Sequence, residues 1–242
     1  MIAHIPDEDL LPKEEIVLRI SQALEQKLPF CMVRIGDGEN FVLAQDSVYT
    51  MEHTLGQLWV KVANQGRKGI RFPNIPFRDQ MVEAIREADI VGVLAKNDKE
   101  IRAHPTHKRH LTNQIFDYFQ LEPKALCNAT VNRELLYHKP FWEMLREREA
   151  RVALVSRWAG SAKQRLIRPP YNLKVAFSLP FERNQMMEET LNFLGEHKDE
   201  YDIVLASCGV NAVVLSHQVK KRFDKIGIDF GIASQIISSV KL

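Results

Sequence analysis

The 242-residue sequence lacks a long hydrophobic run, a cysteine framework and an excess of charge of either sign. No stretch approaches the roughly 18 uninterrupted apolar residues of a membrane-spanning helix. The three cysteines, Cys31, Cys127 and Cys208, are odd in number, lie far apart and form no CxxC pair. That argues against a disulfide scaffold or zinc knuckle and fits buried thiols in a reducing compartment. The 33 basic residues nearly balance the 31 acidic ones, for a net charge of +2, which is too even for a chain built to neutralise a nucleic-acid backbone. The opening residues MIAHIPDEDLLPKEE carry neither a basic start nor an apolar core, so no secretory signal is expected and the cytoplasm is the default location. Internal repeats, low-complexity tracts and long Gly/Ser linkers are also missing, as are a GxSxG elbow and a Walker A lysine, which weakens hydrolase and P-loop readings.

What is present is the composition of an ordinary globular protein, 45% hydrophobic and 26% charged. Ile16, Ile20, Leu24 and Leu28 share one helical face behind the charged opening Lys13-Glu14-Glu15, and Pro29 ends that helix. Continuous apolar runs predict buried strands at 30–35, 90–95, 151–156 and 201–207, with shorter candidates at 68–72, 124–128, 173–177 and 226–230. Amphipathic patterns predict helices over roughly 54–66, 76–88, 107–120, 139–149, 182–198 and 210–223. Apolar strands alternating with such helices imply an α/β fold with an open, mostly parallel, Rossmann-like sheet covered on both faces. We expect one domain over residues 1–242, with an irregular insertion at about 96–148 where His104-Pro105, Glu122-Pro123 and Lys139-Pro140 break the pattern.

Parallel sheets bind ligands beyond the carboxyl ends of their strands, which draws attention to the turn after the first strand, Arg34-Ile35-Gly36-Asp37-Gly38-Glu39-Asn40. Two carboxylates separated by one glycine can both face a divalent cation, and the glycines let backbone amides approach a phosphate. The same residues would also serve a plain structural purpose, with Asp37 capping the next helix and Glu39 in its first turn. A second turn, Ser207-Cys208-Gly209, runs from a buried strand into the helix beginning near Val210-Asn211, whose first amides could meet a phosphate. It lacks GxGxxG spacing, and tight strand-to-helix packing is its alternative reading. Arg157 and Lys163, after a third strand, are either phosphate contacts or solvated charge. The basic run His104-Pro105-Thr106-His107-Lys108-Arg109-His110 has the wrong spacing for one zinc-binding face and reads as a solvated helix start.

At the first two turns the sequence resembles the DXE-motif glycosyltransferases of GT-D fold found in bacterial protein-glycosylation and surface-glycan clusters. Arg34 through Glu39 match the family's arginine-aromatic-glycine-aspartate-glycine-glutamate run, with Ile35 at the aromatic position. Ser207 through Leu215 and Gly227-Ile228-Asp229-Phe230-Gly231 are similar to its late strand–turn–helix and final strand. The resemblance implies a sugar-nucleotide transferase that moves a hexose, from a UDP-sugar, onto a glycan or glycoprotein acceptor. It implies that Asp37 and Glu39 are the catalytic pair holding Mn²⁺ or Mg²⁺, and that Arg34, Gly36, Gly38, Ser207, Gly209 and Asn211 join them in contacting or shaping the donor site. One departure stands out: where relatives follow the last glycine with a histidine and an acidic residue, this chain reads Gly231-Ile232-Ala233-Ser234-Gln235. That departure motivates a rival expectation, a catalytically degenerate module that binds a glycan, nucleotide or partner. A third reading is a metal-dependent phosphoesterase using the same carboxylates.

Overall fold

The structure, a computed structural model, describes residues 6–239. After helix α1 (Lys13–Gln26), strand β1 (Phe30–Ile35) leads through Gly36 into α2 (Asp37–Ala44). Two short helices, α3 (Met51–Gly56) and α4 (Leu58–Val62), come before α5 (Ile75–Glu87) and β2 (Ile90–Val93). Then follow α6 (Arg109–Phe119), β3 (Leu126–Asn128), α7 (Val131–Tyr137), α8 (Lys139–Glu147), β4 (Arg151–Ser156) and α9 (Ala159–Leu166). The last third holds β5 (Lys174–Leu179), α10 (Met187–Glu196), β6 (Ile203–Ser207), α11 (Asn211–Phe223), β7 (Ile226–Asp229) and α12 (Ala233–Ser239).

The seven strands form one parallel sheet in the order β3-β2-β1-β7-β6-β4-β5. Successive side chains of a strand point to opposite faces, and β1 shows the consequence. Cys31, Val33 and Ile35 join an apolar layer with α2, α5, α6, α10 and α11, whereas Phe30 and Met32 join a second layer with α1, α7, α8, α9 and α12. The fold is therefore the α/β arrangement expected, with buried strands that are apolar throughout because both faces are covered.

Most strand expectations agree with the structure, but 68–72 is not a strand. Gly69 sits at φ +71°, its carbonyl accepts from the Asn184 backbone at 2.8 Å and from the Asn211 amide at 3.1 Å, and Phe72 N–H donates to Asn64 Oδ1 at 2.7 Å. The segment is tied to loops and has no ladder partner. The helix expected over 54–66 is broken as well: Gln57 is extended at ψ 136°, and Gly66, at φ 83°, ends a single wide turn after α4. The stretch 96–148 contributes α6, the edge strand β3, α7 and α8.

The chain's connections diverge at the carboxyl end of the sheet. β4 connects outward to β5, while its neighbour β6 connects the other way, to β7. Such a switch point leaves a crevice between neighbouring loops, the usual ligand position in open α/β sheets.

Close approach on the α11 side fixes how that crevice is walled. A Cβ built on Gly227 of β7 would lie 2.1 Å from the Ser216 carbonyl oxygen of α11. Only a residue without a side chain lets the helix backbone lie this close to the strand.

Candidate functional site

A cleft of about 440 Å³ runs across the carboxyl ends of β1, β7, β6, β4 and β5. Its walls include Asp37 and Glu39 after β1, Arg67 and Lys68, Arg157 and Trp158 after β4, Ser207 through Val210 after β6, and Gly231, Ile232 and Gln235 after β7. The two turns picked out in the sequence, 170 positions apart in the chain by subtraction of 37 from 207, thus face one space.

The turn after β1 is shaped by its helix. Gly36 is the extended residue before α2, Asp37 is the first helical residue, and Glu39 is the third. The Gly36 N–H donates to Glu39 Oε2 at 2.9 Å, which satisfies a backbone donor that would otherwise be orphaned. Glu39, not Asp37, is therefore the capping side chain, and Asp37 makes no hydrogen bond or ion pair among the described residues. Gly38 has a steric role: a Cβ there would lie 2.6 Å from Cζ2 of Trp59, whose indole rests on the first turn of α2.

Arg34, the residue before the last of β1, lies on the face turned to α7 and anchors the site. Its Nε donates to the Asp229 carbonyl at 3.1 Å and its Nη2 to Asp229 Oδ1 at 3.1 Å. Nη1 donates to the Ala129 carbonyl at 2.6 Å and to Asn132 Oδ1 at 2.9 Å. A guanidinium has five N–H groups, so one, on Nη2, is left for the cleft. Asp229 is fully buried; its Oδ1 also accepts from the Gly231 N–H at 3.0 Å, and its Oδ2 has no partner among the described residues. Gly231, at φ +55°, leaves the space the guanidinium needs, since a Cβ there would lie 2.4 Å from Nη2.

Asp229 and Asp37 both lie near enough to Glu39 to act on its ionisation, with Arg34 as the compensating cation. Burial pushes Glu39 up to about 7, helped by the negative charges of Asp229 and Asp37 against the pull of Arg34. Burial raises Asp229 as well, against Arg34 and the hydrogen bonds it accepts. The folded protein therefore keeps a proton on Glu39 that the unfolded chain releases above its ordinary 4.5. Stability is expected to fall as pH rises from about 4.5 to about 7, and to level off above that as far as this group is concerned. Glu39→Gln, which still offers an acceptor to Gly36, removes this penalty. It is expected to be about 2 kcal/mol more stable than the parent at pH 8 and nearly equal to it at pH 4.5. Urea unfolding at the two pH values checks this, and an equal difference at both would refute the crowding of these carboxylates.

The turn after β6 holds Gly209 at φ +62°. Ser207 Oγ lies 3.0 Å from Ser234 Oγ and accepts from the Ser234 N–H at 3.4 Å, which ties the turn to α12. Asn211 is fully buried and lies behind the wall: its amide donates to the Gly69 and Cys208 carbonyls at 3.1 and 3.3 Å. Burial, together with Asp229, pushes the Cys208 thiol up, and burial does the same to Cys31 and Cys127, so none is a ready thiolate. Arg157 lies 3.5 Å from Glu182 beside the exposed Trp158, whereas Lys163 is turned to the Ala176 carbonyl at 3.4 Å, outside the cleft walls. In the histidine run, His104 Nδ1 pairs with Thr106 Oγ1 at 2.7 Å and His107 packs edge-on to Phe41 at 5.0 Å. No three His, Cys, Asp or Glu side chains among the described residues come together as a metal-holding group.

Asp229, which its sequence context does not mark as a site residue, lies within the run 227–231. The signal that could have found it is an acidic residue ending an otherwise apolar central strand. Trp59, Arg67 and Lys68 are not marked in the sequence either, because nothing local distinguishes them from a helix and its solvated end.

A parallel α/β sheet with this cleft at its carboxyl end is a Rossmann-like fold. The family model of the GT-D fold-like domain matches residues 11–237, and the chain belongs to that family. No curated protein and no solved structure matches the chain.

Proposed function

We propose that this protein is a metal-assisted glycosyltransferase that moves a hexose from a nucleotide-diphosphate sugar, a UDP-sugar, onto a glycan or glycoprotein acceptor. The observation that carries this reading is that Asp37 and Glu39 line one cleft beside the Arg34–Asp229 pair, with the exposed cations Arg67 and Lys68 on the same wall. With Asp229 committed to Arg34, Asp37 and Glu39 are left facing the cleft as the oxygen donors a hard divalent cation prefers. The donor set fits such an ion when it is shared with a ligand: Asp37 is unpartnered and Glu39 has one oxygen engaged. The remaining coordination positions would come from diphosphate oxygens and water, the usual habit of Mg²⁺ and Mn²⁺. When bound, the ion would supply charge stabilisation to the departing diphosphate.

The chain's own residues supply the rest. Arg67 and Lys68 balance diphosphate charge, the first turn of α11 offers backbone amides beside Val210, and Trp158 gives an exposed aromatic face for a nucleobase. The Arg34–Asp229 pair holds β1 and β7 in register beneath Asp37 and Glu39. Expected results follow for thermal shifts with UDP and Mn²⁺. The parent protein is stabilised only when both are present, since a ligand of the folded state raises the melting temperature. Asp37→Ala loses at least about tenfold in nucleotide affinity, roughly 1.4 kcal/mol, with its metal-free melting temperature unchanged. Equal UDP binding with EDTA, or by Asp37→Ala, would remove this assignment.

One observation favours a second reading, a degenerate module that binds the donor without transferring it. The wall after β7 presents Gly231, Ile232 and Gln235, none of them ionisable. Detectable turnover of a UDP-sugar excludes it, and metal-dependent binding without turnover supports it.

A further inference from the structure

We propose that a second cleft, across Trp59 from the donor cleft, is the acceptor site, and that it takes a pyranosyl residue bearing an anionic group. The inference rests on the reading of the first cleft as the donor site. The second cleft has a volume of about 330 Å³, and Asp37, Trp59 and Lys68 line both spaces. A sugar in the second cleft and a donor in the first would meet at Asp37.

Trp59 is a fixed partition. Its ring stacks on Phe41 at 5.8 Å and 28°, meets Phe72 edge-on at 6.1 Å, and rests on Gly38 without room for a Cβ between them. Its environment also has the make-up that recognises a sugar. Phe41, Leu58 and Val62 continue an apolar wall, against which the C–H face of a pyranose packs, and Gln57 and His107 stand at its edge as hydrogen-bonding groups. The charge at the rim selects further. Lys68 lies with Nζ 5.7 Å from the Trp59 ring centroid and Arg102 is exposed, and neither forms an ion pair among the described residues. Arg102, the rim cation that lines this cleft alone and is not used by the donor, favours an anionic ligand, whether its charge is a sugar carboxylate or a phosphate.

The test uses the full chain labelled with ¹⁵N, with indole N–H signals assigned through Trp59→Phe and Trp158→Phe. Trp158 lines the first cleft only and reports on UDP with Mg²⁺. With UDP and diamagnetic Mg²⁺ already present, methyl glucuronide and glucose 1-phosphate are titrated separately, with neutral methyl glucoside as the comparison. The Trp59 signal is expected to shift with at least one anionic probe. Methyl glucoside is expected to bind about fivefold or more weakly, and Arg102→Glu to weaken the anionic probe by a similar factor. A response to the glucuronide alone identifies the carboxylate source and one to glucose 1-phosphate alone the phosphate source; either supports the site. No Trp59 shift with either probe, or unaltered binding in Arg102→Glu, overturns it. A UDP response at Trp158 without any at Trp59 sinks the acceptor cleft and leaves the donor reading standing. Sugar binding at Trp59 that depends on Arg102, without any UDP response, supports the second cleft and removes the donor reading.

Discussion

Replacing Arg34 with methionine is expected to destabilise the protein by about 3 kcal/mol at neutral pH, because it leaves Asp229 buried without its cation. The side chains of Arg34 and Asp229 are 17% and 1% exposed, so water cannot take over the lost contact. The same change orphans the Ala129 carbonyl and Asn132 Oδ1, which accept from Nη1. The loss should depend on pH in a defined direction. Burial already raises Asp229 against the opposing pull of Arg34, and removing the guanidinium lets it rise further. In the variant the folded state then holds a proton that the unfolded chain releases above its ordinary 3.8, so the deficit grows with rising pH and shrinks in mild acid. Denaturant unfolding of Arg34→Met at pH 5 and pH 8 checks both size and sign. The double variant Arg34→Met/Asp229→Asn should recover part of the loss at pH 8. A deficit under about 1 kcal/mol, the scale of an exposed pair, would show that the pair does not anchor the site.

Gly227→Ala is expected to cost as much or more, by a different mechanism. Its Cβ would lie 2.1 Å from the Ser216 carbonyl oxygen and 2.8 Å from Ser216 Cα, which are backbone atoms in the middle of α11 that no rotamer change can move aside. β7 cannot retreat either, since Gly227 pairs with Cys31 of β1 on one side and Val204 of β6 on the other. The helix has to move, and overpacking of this kind costs about 3 kcal/mol, sometimes more. Because α11 begins at Asn211, just after the Ser207–Gly209 turn, the shift also reaches the donor cleft. Gly227→Ala should thus lower the midpoint of urea unfolding and weaken UDP binding in whatever fraction stays folded. An alanine variant as stable as the parent would mean that α11 and β7 are not in contact as described.

How much of this was legible in the sequence depended on whether the determinant was local. The strands at 30–35 and 151–156 could be read because a sheet covered on both faces requires unbroken apolar runs. The segment 68–72 could not be: Ile70 and Phe72 are as buried as strand residues, yet the backbone is set by distant groups, Asn64, Asn184 and Asn211. Helix α2 was left open in the sequence, where its two early glycines read equally as a ligand-binding loop or as a helix start, and the Glu39 cap and the Trp59 ring decide for the helix. The acidic pair Asp37 and Glu39 was visible as a spacing. Its electrostatic partner Asp229 lies 190 positions away from Glu39, by subtraction of 39 from 229, and became meaningful only once β7 was placed beside β1. Asn211 looked like a turn residue facing a ligand, but a buried amide that satisfies two loop carbonyls gives the same sequence signal.

The order of the strands carries one more consequence, for biogenesis. β7 joins two half-sheets, β3-β2-β1 and β6-β4-β5, and contains the latest strand residues in the chain, 226–229. Until those residues leave the ribosome, the nascent polypeptide carries β1 and β6 as two open edges, each apolar on both sides and each a template for pairing with another chain. Its keystone is four residues long, so a ribosome stalled upstream of Ile226 should release an aggregation-prone product. The completed sheet closes late, through contacts that span nearly the whole sequence, the topology associated with slow folding.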